Sequence, residues 1–129
     1  MTGRRLLLVD DDPSLAAIVR VLARRAGHTV AWAADATAAT AELRREHPDL
    51  VLLDINLPGV CGPQWLREVR AEGGAELPVA VFVQSALADD IARGRAAGAN
   101  WHFAKELVTD PAAWTARLTE IPSQADGRG

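Results

Sequence analysis

The sequence has a single cysteine, Cys61, so no disulfide can form within the chain, and we expect a reducing compartment. It also lacks a long apolar stretch near its start. The first apolar run, residues 6–9, ends at three consecutive aspartates. Such a run is too short for the apolar part of a signal peptide or for a membrane span. We therefore expect a cytoplasmic protein that does not associate with a membrane.

The chain has no excess of positive charge and no cluster of His and Cys. Its 14 basic and 17 acidic residues give a net charge of −3, and the basic residues are dispersed, so direct binding to nucleic acid is not expected. The missing His and Cys cluster argues against zinc. At 129 residues, the chain can fold as one domain without a disulfide or a metal. We assign residues 1–121 to this domain and predict that the small, polar segment 122–129 is disordered.

Short apolar runs alternate with helical patterns along the chain. Most of the runs lack polar alternation, which indicates strands buried on both faces of a sheet. The predicted strands are residues 6–9, 29–33, 50–53, 79–83 and 101–104. A helical pattern follows each strand, and Asp12, Asp35 and Asp110 are suited to cap three of these helices. A strand and a helix repeated five times predict an α/β fold with a doubly wound five-stranded parallel sheet.

Polar side chains follow four of the predicted strands. In an open doubly wound sheet, ligands bind beyond the carboxyl ends of the strands. Acids, a hydroxyl and an ammonium therefore meet at one edge of the sheet, which must be wet because burying them would be costly. In chain order these groups are Asp10, Asp11, Asp54, Ser85 and Lys105.

The acidic residues predict a metal site. Asp10, Asp11 and Asp54 would repel one another if they lay close together, and a divalent cation removes that conflict. Oxygen ligands in a partly open site favour Mg²⁺, with Mn²⁺ as a substitute. The backbone carbonyl of Asn56 could add a further ligand.

The remaining groups predict phosphoryl transfer. Lys105 supplies a compact positive charge for one phosphoryl oxygen, and Ser85 supplies a rotatable hydroxyl donor for another. With Asp54 as the nucleophile, the implied intermediate is an aspartyl phosphate.

Other residues have simpler interpretations. Asp12, next to Pro13, is best explained as a helix cap. Cys61 is interpreted as an incidental thiol. Trp65 and Trp114 lie at helical spacing and are expected in the core or at an interface.

Taken in order, four segments resemble the receiver domains of two-component response regulators: residues 6–13, 49–59 with Gly62 shortly after, 78–86 and 98–105. The resemblance covers roughly residues 4–121 and implies a flavodoxin-like sheet of strand order 2-1-3-4-5 with five helices. It implies that Asp54 is the phosphoacceptor. It further implies that Asp10, Asp11 and the Asn56 carbonyl bind Mg²⁺. Ser85 and Lys105 would contact the phosphoryl group.

The same resemblance implies partners and behaviour. The phosphoryl donor would be a sensor histidine kinase or a histidine phosphotransfer protein, and a downstream protein target would respond. The domain would catalyse its own phosphorylation and later hydrolysis, without being a turnover enzyme. We expect a monomer or a weak dimer.

The sequence departs from the family pattern in three places. Glu106 follows the lysine where the family usually has proline, so we expect a trans bond there and a differently aimed Lys105 ammonium. His102 replaces the usual aromatic, and it is either a packed histidine or a polar switch residue. The stretch between Ser85 and Gly98 is short, which predicts a trimmed responsive segment.

Two alternative functions remain open at this point. The departures motivate an interaction module that does not need phosphorylation. A Mg²⁺-dependent aspartyl phosphatase is less consistent with the sequence, because Asp54 follows the third strand and the chain has no room for a cap.

Overall fold

The computed structural model of the chain describes residues 3–84 and 88–121. The strands are β1 (Arg5–Val9), β2 (Thr29–Ala33), β3 (Leu50–Asp54), β4 (Val79–Val83) and β5 (Trp101–Ala104). The helices are α1 (Pro13–Arg25), α2 (Ala36–Arg45), α3 (Gly62–Ala71), α4 (Ala88–Ala97) and α5 (Pro111–Glu120). The alternation of strands and helices is confirmed. A 3-10 turn over Lys105–Thr109, which the sequence did not predict, follows β5.

All strand pairs are parallel, and the sheet has the expected order β2-β1-β3-β4-β5. The chain therefore winds outwards from β1 in one direction to β2 and in the other direction to β3. At this switch point Val9 is in register with Leu53. The residues that follow, Asp10 and Asp54, are consequently neighbours at the carboxyl edge of the sheet, where an open α/β sheet holds its ligands.

The core lies on both faces of the sheet, because successive side chains of a strand point to opposite sides. In β1, Leu6 and Leu8 pack with α1 and α5, whereas Leu7 and Val9 pack with the helices on the other face. This explains why the strands show no polar alternation. Trp65 and Trp114 are fully buried, one in each cluster, which confirms their assignment to the core.

Three helices begin at the predicted caps. The Asp12 carboxylate accepts hydrogen bonds from two backbone N–H groups in the first turn of α1, at 2.9 and 3.3 Å. Asp35 and Asp110 cap α2 and α5 in the same way. Gly27 follows α1 with a φ of 86°, a left-handed conformation that glycine adopts without steric cost. These local signals define where the helices begin and end.

In residues 3–84 and 88–121, no helix is long and apolar enough to cross a membrane. The segment 122–129 and Ser85 both lie outside the described residues, so the predictions made for them stay predictions.

Candidate functional site

Three aspartates meet at the carboxyl edge of the sheet. Asp10 follows β1 and Asp54 ends β3, and they are only 1% and 6% exposed, whereas Asp11 is exposed. Each contributes a carboxylate oxygen to a group in which these atoms lie within 4.8 Å of one another. A single divalent ion could contact all three. The structure thus places Asp11 and Asp54 on the same side of the molecule.

The Lys105 ammonium bridges the two buried carboxylates. Its Nζ lies 2.9 Å from Asp10 Oδ2, and it donates a hydrogen bond to Asp54 Oδ1 at 3.1 Å. The four-carbon side chain crosses from the end of β5 over β4, where Nζ lies 5.7 Å from the centroid of the Phe82 ring. Burying an ionised aspartate without a partner would cost much free energy, and the ammonium offsets part of that cost.

Glu106 does not keep the Lys105 ammonium away from the two buried carboxylates. Throughout the described parts of the chain every peptide bond is trans, as expected for the bond before Glu106. The 3-10 turn begins at Lys105 itself, and the long side chain reaches Asp54 from this backbone. A proline after the lysine is therefore not needed for the contact.

Burial and charge shift the ionisation of this cluster. Burial, assisted by the charge of Asp54, raises the pKa of Asp10, although Lys105 and a backbone N–H oppose the shift. Burial alone would lower the pKa of Lys105, but its contacts with Asp10 and then Asp54 outweigh that effect and raise it. Lys105 therefore stays cationic at neutral pH.

Backbone N–H groups orient both buried carboxylates. Asp10 Oδ1 accepts a hydrogen bond from the N–H of Asp12 at 3.0 Å. Asp54 Oδ1 accepts one from the N–H of Asn56 at 3.3 Å. Both are Asx turns, in which an aspartate carboxylate accepts a hydrogen bond from the backbone N–H two residues later. Asn56 is exposed, and the role of its carbonyl stays a prediction.

Gly62 is required by the close approach of α3 to the nucleophile's backbone. A Cβ atom built on Gly62 would lie 2.0 Å from the carbonyl oxygen of Asp54, closer than any real contact. A side chain at this position would displace the start of α3 or the end of β3.

His102 lies in β5, half-buried, and its Nδ1 is buried without a hydrogen-bond partner in the part of the chain that the structure describes. Its pKa is lowered by burial and then by the charges of Arg117 and Arg95. The Arg117 guanidinium donates to the His102 carbonyl. This environment supports the interpretation as a packed histidine.

Sequence reasoning missed Trp32. Its indole Nε1–H donates a hydrogen bond to the backbone carbonyl of Asp10 at 2.6 Å. The residue lies near the end of β2, and its register with Leu8 of β1 brings it beside the acidic turn. The sequence shows a tryptophan near the carboxyl end of a strand, but its contact with Asp10 can be inferred only once the pairing of β1 with β2 is known.

Comparisons with known proteins place the chain among relatives of one kind. Residues 6–117 match the family model described as the response regulator receiver domain. The DNA-binding response regulator MtrA of Mycolicibacterium smegmatis is 34% identical over 126 residues, covering 94% of this chain and 54% of the relative. The chain thus spans about half the length of such relatives.

Solved structures show the same fold. A putative response regulator from Chloroflexus aurantiacus is similar, with a TM-score of 0.84, 29% identity, and coverage of 93% of this chain and 98% of that one. The receiver domain of the sensor histidine kinase PA1611 from Pseudomonas aeruginosa has a TM-score of 0.80, 30% identity and the same coverage. That structure holds a magnesium ion in its active site cleft.

Proposed function

The chain belongs to the family of response regulator receiver domains, and we propose that it accepts a phosphoryl group on Asp54 in two-component signalling. The observation that carries this proposal is the position of Lys105, whose ammonium contacts both Asp54 and Asp10 beside the exposed Asp11. A nucleophilic carboxylate, an acidic pair and a fixed cation are the parts that phosphoryl transfer needs.

The acidic cluster fits a divalent cation. Three carboxylates and one ammonium leave a formal charge of about −2 when all are ionised, which a divalent ion balances. Oxygen ligands beside one solvent-exposed member suit Mg²⁺, with Mn²⁺ as a substitute. Asp10, Asp11, Asp54 and the Asn56 carbonyl would hold it, Asp11 more directly than Asp10. When bound, the ion would neutralise negative charge that develops on the phosphoryl oxygens.

The step follows from the positions of these side chains. An Asp54 carboxylate oxygen attacks the phosphorus of a phosphohistidine, and a P–O bond forms as the P–N bond breaks. The bonding electron pair leaves with the imidazole. Lys105, already 3.1 Å from Asp54 Oδ1, can shift its contact to a phosphoryl oxygen, and the Ser85 hydroxyl would bind another.

The domain later reverses its own modification. Attack by water on the phosphorus releases inorganic phosphate and restores the Asp54 carboxylate. The chain is thus a receiver rather than a conventional enzyme, and we propose autodephosphorylation as its only hydrolytic activity.

The partners are proposed from the family. The donor is a sensor histidine kinase or a histidine phosphotransfer protein, and the phosphorylated domain binds a downstream protein target as a monomer or weak dimer. The relatives are DNA-binding regulators about twice as long as this chain, and we propose that this part makes no direct DNA contact. The comparisons give no support to a module that works without phosphorylation.

The test is incubation with Mg²⁺ and acetyl phosphate, followed by mass spectrometry of the intact protein. We expect a phosphoryl-sized mass increase in the natural chain and none in Asp54→Asn. Asp12→Asn is the matched control, because asparagine caps a helix as well as aspartate does and the neighbouring acids stay in place. Labelling that survives Asp54→Asn, or that is lost in Asp12→Asn alone, would contradict the assignment.

A further inference from the structure

We propose that Trp32 is a positioning residue for the acidic cluster: its indole N–H fixes the peptide unit between Asp10 and Asp11 and thereby directs the Asp11 carboxylate towards the cation. This inference rests on the proposed function, because it concerns the metal-binding pair of that site.

The backbone of Asp10 is tied to β2 at both of its polar groups. Its N–H donates to the carbonyl of Ala33 at 3.1 Å, which continues the pairing of β1 with β2 by one residue. Its carbonyl accepts the Trp32 indole at 2.6 Å. The ladder between the two strands ends here, so a side chain provides the bond that the backbone of β2 no longer supplies.

The planarity of the peptide bond transmits this contact to Asp11. The carbonyl oxygen of Asp10 lies in one plane with the nitrogen and the Cα atom of Asp11. Fixing the direction of that oxygen therefore fixes the direction in which the chain enters Asp11. A rotation of this peptide unit would swing the Asp11 carboxylate away from Asp54.

The position of the Asp11 carboxylate depends on the backbone more than the positions of the Asp10 and Asp54 carboxylates do. Asp10 and Asp54 are buried, and both contact Lys105 and a backbone N–H. The Asp11 carboxylate is exposed, and no other described residue donates a hydrogen bond to it. Its position is therefore set by the turn that carries it.

Trp32 is suited to act as a fixed donor. Its ring is partly buried against the cluster formed with α1 and α5. The Arg20 guanidinium of α1 lies over the ring, with its Cζ 6.0 Å from the ring centroid. A side chain held in this way loses little further freedom when it makes the hydrogen bond.

Two variants separate positioning from stability. Trp32→Phe keeps an aromatic ring against the core and removes the N–H. Trp65→Phe is the matched control, because it also removes an indole hydrogen bond from a fully buried tryptophan, but that bond is to the Thr40 hydroxyl and not to the acidic turn. Both proteins are compared with the natural chain by calorimetric titration with Mg²⁺ and by NMR of the metal-free protein.

We expect Trp32→Phe to weaken Mg²⁺ binding by about two- to tenfold, the range that one lost hydrogen bond allows. It should also shift the backbone amide resonance of Asp11 in the absence of metal. Trp65→Phe should leave both unchanged, although it removes more buried contact. An Asp11 amide that does not move in Trp32→Phe overturns the inference, as does unchanged Mg²⁺ affinity. If the natural chain binds no Mg²⁺, the proposed metal site fails, and the amide shift still decides whether Trp32 orients the turn.

Discussion

Three consecutive aspartates have three different surroundings. Asp10 is buried and paired with Lys105, Asp11 is exposed, and Asp12 accepts the N–H groups at the start of α1. The same carboxylate therefore serves as an ion-pair partner, as a proposed metal ligand and as a helix cap. Residue type alone does not assign these roles, because the turn after β1 points each side chain in a different direction.

The role of Asp11 can be measured through stability. Mg²⁺ that binds only the folded chain raises the free energy of unfolding by mass action, by about 1.4 kcal/mol at ten times its Kd. We expect this gain in urea titrations of the natural chain and of Asp12→Asn. It should be absent in Asp11→Asn at the same Mg²⁺ concentration, because the exposed member of the cluster no longer carries charge. An equal gain in all three proteins would remove Asp11 from the site.

His28 makes stability depend on pH. Its Nδ1 accepts the backbone N–H of Arg4 at 2.7 Å, and burial and then the charge of Arg4 lower its pKa below 6.5. The unfolded chain therefore binds more protons than the folded chain just below this pH, so stability is lost as pH falls through that window. We expect Asn in place of His28 to remove this component.

Urea titrations of the natural chain and of His28→Asn, between about pH 7.5 and pH 5.5, check this effect. The natural chain should lose more stability on acidification than the variant loses. Parallel losses would show that His28 is not the group responsible.

At the level of single elements, α3 lacks the side-chain hydrogen bond that caps the start of α1, α2 and α5. Cys61 occupies its N-cap position in extended conformation, with no side-chain hydrogen bond to the first turn. Gly62 and Pro63 follow it, the first because of the close approach to Asp54. The first turn of α3, which follows the loop after Asp54, therefore has backbone N–H groups that no side chain caps.

We expect Cys61→Ser to be more stable than Cys61→Ala by about 1 kcal/mol, because a serine hydroxyl can accept an N–H of the first turn. The two variants have no thiol, so the comparison isolates the cap. Thermal and urea unfolding measure the difference. Equal stability would indicate that the loop before α3 does not allow cap geometry.

At the scale of the whole molecule, Arg70 links segments that are distant in sequence. From α3 its guanidinium donates to the carbonyls of Gly74 and Leu77, each at 2.6 Å, and to that of Gly98 at 2.7 Å. It also donates to the Asn100 side chain, which in turn accepts the N–H of Val79. The connections before β4 and before β5 are thereby held to one helix.

We expect Arg70→Met to lower the free energy of unfolding by about 2 to 3 kcal/mol, because several carbonyls lose a charged donor together. Arg67→Met, at an exposed position of the same helix, is the control and should change stability by less than about 0.5 kcal/mol. Urea denaturation measures both. Similar losses of unfolding free energy in the two variants would show that the hydrogen bonds of Arg70 contribute little to stability.

The elements were predictable because their signals are local. Asp12, Asp35 and Asp110 cap the helices as expected, and apolar runs correspond to the strands. The 3-10 turn after β5 was missed, since Lys105 and Glu106 carry no turn signal. The contacts of Lys105 could not be predicted from the residue that follows it, because they depend on the reach of its long side chain.

The order of strands and helices follows from local sequence patterns, and so does the edge at which the aspartates and the lysine meet, because parallel strands bring their carboxyl ends together. Which side chains contact one another at that edge is known only from the folded chain. The contacts of Lys105 with Asp10 and Asp54, and of Trp32 with the Asp10 carbonyl, cross between strands. They depend on register and side-chain reach, which are set by packing across the whole sheet and not by any local pattern in the sequence.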